Sequence, residues 1–350
     1  MTTIEKHQAI KRICPLSCET IRGQLPVFIN STIQYGPETI ALVSVLNTIG
    51  AVSIDRIHDI LHGACRLPIS TGTIYNMVKK AVSSVAPSVE VIKEKVKALS
   101  LAHFDETGVR VDKGLRWAHV ACNRDYAYIS VEKKRGYDGM VASGILPWFR
   151  GIAVHDFWRP YERFDVNHVY CNAHLIRELR AIHENTGQEW ALELKKLLVW
   201  AQHKKKAFIA AGKDRFSSYC CRYRIDKPFD ELLASGLAQN PLPTGKGARG
   251  RPKKGKARNL LERFRDHKEE ILLYARDFAI PFDNNEAERN IRNFKAKLKI
   301  SGCFRTSEGA SDYAKIMSFL ITAKKNSINI FEAMSMALDG QILFLDGATD

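Results

Sequence analysis

The chain has 350 residues, 45% of them hydrophobic, which is enough to bury a large core and to divide into two or three domains. Lys plus Arg number 53 against 38 Asp plus Glu, and the net charge of +15 points to a polyanionic partner, nucleic acid ahead of a membrane surface. No apolar run reaches the roughly 18 residues of a spanning helix, the first residues (MTTIEKHQAIKR) lack the apolar centre of a secretion signal, and the eight cysteines have no framework spacing; a cytoplasmic protein is expected, with no membrane partner.

Residues 1–35 read as loop-rich, and residues 36–98 as helical. Ile40, Leu42, Val43, Val45 and Leu46 mark one helix, and Ile54, Ile57, Ile60 and Leu61 a second. After HGACRLP, Ser70 or Thr71 can cap a third helix carrying Ile74, Tyr75, Met77, Val78 and Val82. This layout resembles a helix-turn-helix, with Lys79 and Lys80 as candidate DNA contacts from the last helix; three helices packed only on each other would show the same pattern.

From residue 99 the period shortens to that of strands. LSLAHF, LRWAHVAC and YAYISV are β-branched or aromatic runs between Gly, Lys and Asp turns, and predict an antiparallel meander. A helical stretch near 137–147, the strand GIAVHD, the short run HVYC and helices over about 172–212 follow. Three strands, helix, strand, helix is the order of a ribonuclease-H-like core, so the expected class is mixed α/β, with core segments 99–195 and 281–350 and a helical insertion over 196–280.

Within that insertion, residues 244–258 carry Lys246, Arg249, Arg251, Lys253, Lys254, Lys256 and Arg258 without an acid, and Gly and Pro deny them a regular element. A flexible basic arm is expected, with Arg249, Arg251, Lys253 and Lys254 on DNA. Its Gly250-Arg251-Pro252 centre is similar to an AT-hook, whose arginine enters a narrow minor groove.

Asp105 follows the apolar run LSLAHF and Asp156 follows GIAVH, so the two carboxylates leave the same sheet edge if those strands are neighbours. Hard divalent ions need such rigid, convergent oxygen ligands. Taken alone, each Asp could equally cap a turn. In PFDNNEAERNIRNFKAKLKISGCFR, Asn284 or Asn285 can start a helix with a buried stripe of Ala287, Ile291, Phe294 and Leu298. Glu288, Arg292, Lys295 and Lys299 recur along an adjoining face, which suits one metal ligand followed by phosphate contacts, or else an ordinary Glu288–Arg292 surface pair.

Several blocks together, FDETG (104–108), GILPWFRGIAVHDFWRPY (144–161), CNAHLIREL (171–179) and PFDNNEAER followed by KISGCFR, resemble transposases of the insertion sequence 66 family, from about Tyr35 onward. The resemblance implies a DDE-type enzyme in a ribonuclease-H-like fold. It maps the acidic triad onto Asp105, Asp156 and Glu288 as catalytic and metal-binding residues, with Glu286 at a variable position and Lys295 where related enzymes often carry a base. It also implies Mg²⁺ with Mn²⁺ as a substitute, double-stranded DNA as partner, homo-oligomers pairing transposon ends, accessory transposition proteins, and a nucleoid-associated location in a bacterium. The implied reaction is strand cleavage and strand transfer. A non-catalytic transposase-derived DNA binder, and a nuclease that cuts without joining, are the competing readings.

The chain departs from that pattern at its start, where His7, Cys14 and Cys18 resemble the remains of a zinc module with altered spacing and no second ligand pair. His168, Cys171 and His174 offer three soft ligands, short of a tetrahedral set, and are assigned to packing or hydrogen bonding; zinc is not expected as a cofactor. His155 is read as orienting Asp156 or DNA, and Trp158 as a core indole rather than a base-stacking platform.

Overall fold

A computed structural model describes residues 5–27, 29, 33–243 and 254–345. In chain order it contains β1 (Lys11–Ile13), β2 (Thr20–Arg22), α1 (Pro37–Asn47), α2 (Ile54–Cys65), α3 (Thr71–Lys97), β3 (Leu101–Val111), β4 (Gly114–Cys122), β5 (Ala127–Glu132), α4 (Tyr137–Ser143), β6 (Ile152–His155) and β7 (Asn167–Tyr170). There follow α5 (Asn172–Thr186), α6 (Glu189–Ala210), α7 (Ser218–Cys220), α8 (Lys227–Gln239), α9 (Lys256–Asp266), α10 (Lys268–Arg276), α11 (Asn285–Ser301), α12 (Ser307–Lys325) and α13 (Ile330–Leu338). Among the described residues no helix is long and apolar enough to cross a membrane.

The chain divides into two compact units, one of residues Met1–Val91 with Ala296–Asp350 and the other of Ile92–Lys295. In the first, α1 packs on α2 and α13, and α12 on α13. Its core joins Ile40 and Val43 of α1, Ile57 and Leu61 of α2, Ile74 and Met77 of α3, and Met317 and Leu320 of α12, all buried. Ser70 Oγ accepts the Thr73 N–H at 3.1 Å and so caps α3, as expected from the sequence. Ile60, expected on the buried stripe of α2, is instead 44% exposed, because Ile57 and Leu61 alone fill that face. Cys14 and Cys18 lie beside the β1–β2 hairpin, where the Cys18 N–H donates to the Cys14 carbonyl at 2.9 Å.

The second unit is built on a five-stranded sheet of order β5-β4-β3-β6-β7. β3, β4 and β5 form the antiparallel meander, while β6 and β7 run parallel to β3 and to each other. β3 is longer than the apolar run LSLAHF, because its antiparallel pairing with β4 continues to Val111↔Gly114. Val154, Val169 and Tyr170 of β6 and β7 share one apolar core with Leu175 and Leu179 (α5), Leu194 and Leu198 (α6), Phe229 (α8), Phe264 (α9) and Tyr274 (α10). The helical segment after β7 therefore carries no separate core of its own among the described residues. Lys205 of α6 is held within this core, 5% exposed, and donates to the carbonyls of Tyr274, at 3.1 Å, and Ile280.

Candidate active site

The parallel register of β3 on β6 pairs Leu101 with Ile152, Ala102 with Ala153 and His103 with Val154. Continued by two residues, the same register sets Asp105 level with Asp156. Asp105 is thus not past the end of its strand; it lies inside β3, two positions beyond the last β6 pairing. The Asp105 carboxylate accepts the Glu106 N–H at 2.9 Å, and the Asp156 carboxylate, one residue past β6, accepts the Trp158 N–H at 3.0 Å, so each is held by the backbone that follows it.

Glu288 reaches the same sheet edge through Asn284. The Asn284 side-chain amide donates to the Phe104 carbonyl at 2.7 Å, its oxygen lies 2.9 Å from His103 Nδ1, and its backbone N–H donates to Cys171 Sγ at 3.2 Å. Asn172 N–H donates to the Phe282 carbonyl at 3.0 Å. The start of α11 is therefore lashed to β3 beside Asp105 and to the β7–α5 junction. From there Ala287, Ile291 and Phe294 are buried, and Glu288, half-buried, lies one turn into the helix. The sequence offered Asn284 as a helix cap; its side chain is spent on a tertiary tie instead.

Burial pushes the Asp105 carboxyl up to about 7, and the negative charges of Glu106, Asp156 and Glu288 add to that rise, against the Glu106 N–H. The three sequence-predicted carboxylates are thus electrostatic neighbours, although among the described residues they do not converge to within 4.8 Å of one another. Glu288 is flanked by two exposed guanidinium groups, Arg177 at 3.8 Å and Arg292 at 3.4 Å.

A fourth carboxylate, Glu106, escaped the sequence reading. It is buried, accepts the Tyr161 hydroxyl at 2.7 Å and Arg135 Nη2 at 2.9 Å, and burial raises its pKa. Its adjacency to Asp105 in FDETG was the available signal, masked because alternate strand residues face opposite ways. Arg135 also lies 4.0 Å over the Trp158 ring, so this indole, expected in the core, is half-buried under a guanidinium.

His155 is fully buried, and burial holds its pKa down at about 3. Nδ1 donates to the Asp156 carbonyl, which leaves Nε2 of the neutral ring to accept from His168 Nδ1 at 2.8 Å. It thereby fixes the backbone of Asp156 rather than its carboxylate, and it is closed off from DNA. His168 is consequently engaged with His155. The third residue to join Cys171 and His174 is Glu288: their ligand atoms all lie within 4.8 Å of one another, the one such grouping of His, Cys, Asp and Glu side chains among the described residues.

The expected DNA contacts are placed as follows. Lys80, Arg292, Lys295 and Lys299 are exposed. Lys79 is instead held in an ion pair with Asp312 at 2.6 Å and in a second with Glu308, because α12 presents two carboxylates to it. Lys254 pairs with Glu262 at 2.5 Å, and Arg258 pairs with the same carboxylate at 3.1 Å. Arg249, Arg251 and Lys253, with the AT-hook-like core, lie outside the described residues.

No curated protein matches the chain. The family model described as "Transposase IS66 family" matches residues 32–312, which span the sheet, the segment from β7 into α5 and all of α11. The chain belongs to the IS66 family of transposases.

Proposed function

We propose that this chain cleaves DNA at the ends of its own mobile element and joins the freed ends to a target, with Asp105, Asp156 and Glu288 as the catalytic carboxylates. The observation that carries the reading is the electrostatic proximity of Asp105 within β3, Asp156 directly after β6, and Glu288, whose helix is tied to β3 by Asn284. The strand order β5-β4-β3-β6-β7, with a meander followed by two parallel strands, supports a ribonuclease-H-like core.

The donor set fits hard divalent cations: it is rich in carboxylate oxygen and held on rigid elements, and the Asp105 carboxyl is pushed up first by burial and then by its acidic neighbours. Bound there, Mg²⁺ or Mn²⁺ would supply the Lewis acidity that activates a water or a 3′-hydroxyl and offsets charge on the leaving oxygen. The chain's own residues do the rest. Asp105 and Asp156 hold their oxygens at fixed positions on the strand edge. Arg177, Arg292 and Lys295, exposed around Glu288, neutralise and orient the DNA phosphates, and Lys80 and Tyr75 on the exposed face of α3 contribute to end recognition. DNA held by two such chains would bring a pair of element ends together.

Asp105→Asn, Asp156→Asn and Glu288→Gln test the assignment. Each should retain affinity for end DNA while lowering Mg²⁺-dependent strand cleavage by about a thousandfold or more, as loss of a metal ligand forfeits several kcal/mol of transition-state stabilisation. Cleavage within a few fold of the parent in all three variants would remove the site.

A further inference from the structure

We propose that Cys171, His174 and Glu288 form a second metal site, selective for a borderline cation of the zinc class, which shares Glu288 with the carboxylate centre. The local sequence fixes two of the three ligands. Cys171 is the N-cap of α5 and His174 sits three residues on, so C-x-x-H places thiol and imidazole one above the other on the first turn. The third ligand comes from α11, whose start is held against Cys171 by the Asn284 N–H to Sγ bond, so the tie that positions Glu288 for the carboxylate centre also brings it to the thiol.

Two observations point to a ligand there. The three ligand atoms fall within 4.8 Å of one another, so that modest side-chain rotation brings them to the roughly 3.3–3.8 Å spacing that tetrahedral bonds of about 2.0–2.3 Å impose. His174 Nδ1 is buried and has no hydrogen-bond partner among the described residues, which is costly for an imidazole nitrogen unless something else fills the space. Sulfur, nitrogen and one carboxylate are a donor set for zinc or cobalt rather than for magnesium. The two arginines near Glu288 are exposed and hold it at 3.8 and 3.4 Å, loosely enough for the carboxylate to turn. On binding, the metal–sulfur bond forms as the Cys171 thiol proton leaves to solvent, and a water completes the coordination.

The site itself stands apart from the catalytic reading. Its consequence rests on that reading: a zinc-class ion draws Glu288 away from the hard-cation centre, so micromolar zinc should inhibit cleavage supported by excess Mg²⁺.

Cobalt titration of the full-length chain is the test. A stoichiometric near-ultraviolet thiolate-to-cobalt charge-transfer band is expected, reversed by zinc and unaffected by excess Mg²⁺. The band should vanish in Cys171→Ser and require roughly tenfold more cobalt or higher in His174→Gln and in Glu288→Gln. It should persist in Asp105→Asn and in the Cys14→Ser, Cys18→Ser double variant. A band that survives both Cys171→Ser and His174→Gln, or that is lost with Cys14 and Cys18, overturns the proposal, as does no band at all. Should Cys171→Ser fail to fold, as thermal melting would reveal, the His174 and Glu288 variants decide. Because the readout is spectroscopic, cleavage retained in all three carboxylate variants would sink the catalytic assignment without touching this site, and an absent band would leave the cleavage result standing.

Discussion

Truncating Asn284 removes a hydrogen-bond partner from the buried Phe104 carbonyl and from His103 Nδ1, and frees the start of α11 from β3. Losing these buried bonds costs about 2–4 kcal/mol in all, so Asn284→Ala should lower the unfolding free energy by that amount, measured by chemical unfolding. Asn284→Asp, which accepts but cannot donate to Phe104, should lose a comparable part, and both variants should lose cleavage out of proportion to stability because Glu288 is no longer held. Lys205 offers a pH-dependent counterpart away from the site. Burial lowers its pKa to about 8, against about 10.4 in an unfolded chain, so between those values the unfolded state binds more protons. Stability relative to Lys205→Met should therefore rise with pH across that window, with a slope of at most about 1.4 kcal/mol per unit, and should be flat below it. Thermal melts of the two proteins from neutral to alkaline pH measure the difference.

At the scale of elements, the entry to β6 is set by contact rather than by propensity. A Cβ at Gly151 would lie 2.4 Å from the Leu99 carbonyl oxygen and 2.6 Å from that of Ser100, both backbone atoms unable to move independently. Gly151→Ala should cost roughly 1–3 kcal/mol and shift β6, carrying Asp156 with it; a melt and a cleavage assay would register both effects. The meander, β6, β7 and α11 were legible in the sequence because their apolar runs are short, alternating or periodic and are punctuated by Gly, Pro and Asn. The length of β3 was not, since its extension past Phe104 depends on pairing with β4 and not on its own apolar content. Asp156 was readable as an acid just past a strand and Glu288 as the first-turn acid of a helix, whereas Asp105, read as a strand-end acid, lies inside β3. Their proximity was not readable, because it depends on the β3–β6 register and on an Asn284 side chain that local rules assign to capping. The same limit hid Glu288 from the Cys171–His174 pair and left Lys79 looking like a free cation when Asp312, remote in sequence, engages it, while Lys254 is engaged by Glu262 from the helix that follows it.

For the whole molecule, periodicity says which face of a helix is buried but not which segment covers it. Residues 281–350 read as one continuation of the core, yet 296–350 group with 1–91. Within that unit the two ends of the chain are interlocked: Lys297 Nζ donates to the Asn47 carbonyl at 3.0 Å, the Leu343 N–H donates to Ser88 Oγ at 2.9 Å, and Lys79 pairs with Asp312. A fragment of residues 1–91 should accordingly show no cooperative melt by circular dichroism, and adding residues 296–350 in trans should restore one; a cooperative transition of the isolated fragment would contradict this organisation.

If carboxylates remote in sequence assemble around hard cations, as proposed, iron-directed cleavage of the polypeptide reads that assembly directly. With Fe²⁺, ascorbate and peroxide, backbone cuts should appear together beside residues 105, 156 and 288, fade as Mg²⁺ is added in excess, and disappear in Asp105→Asn. Cuts confined to the segments around 105 and 156, or cuts that Mg²⁺ leaves unchanged, would contradict it.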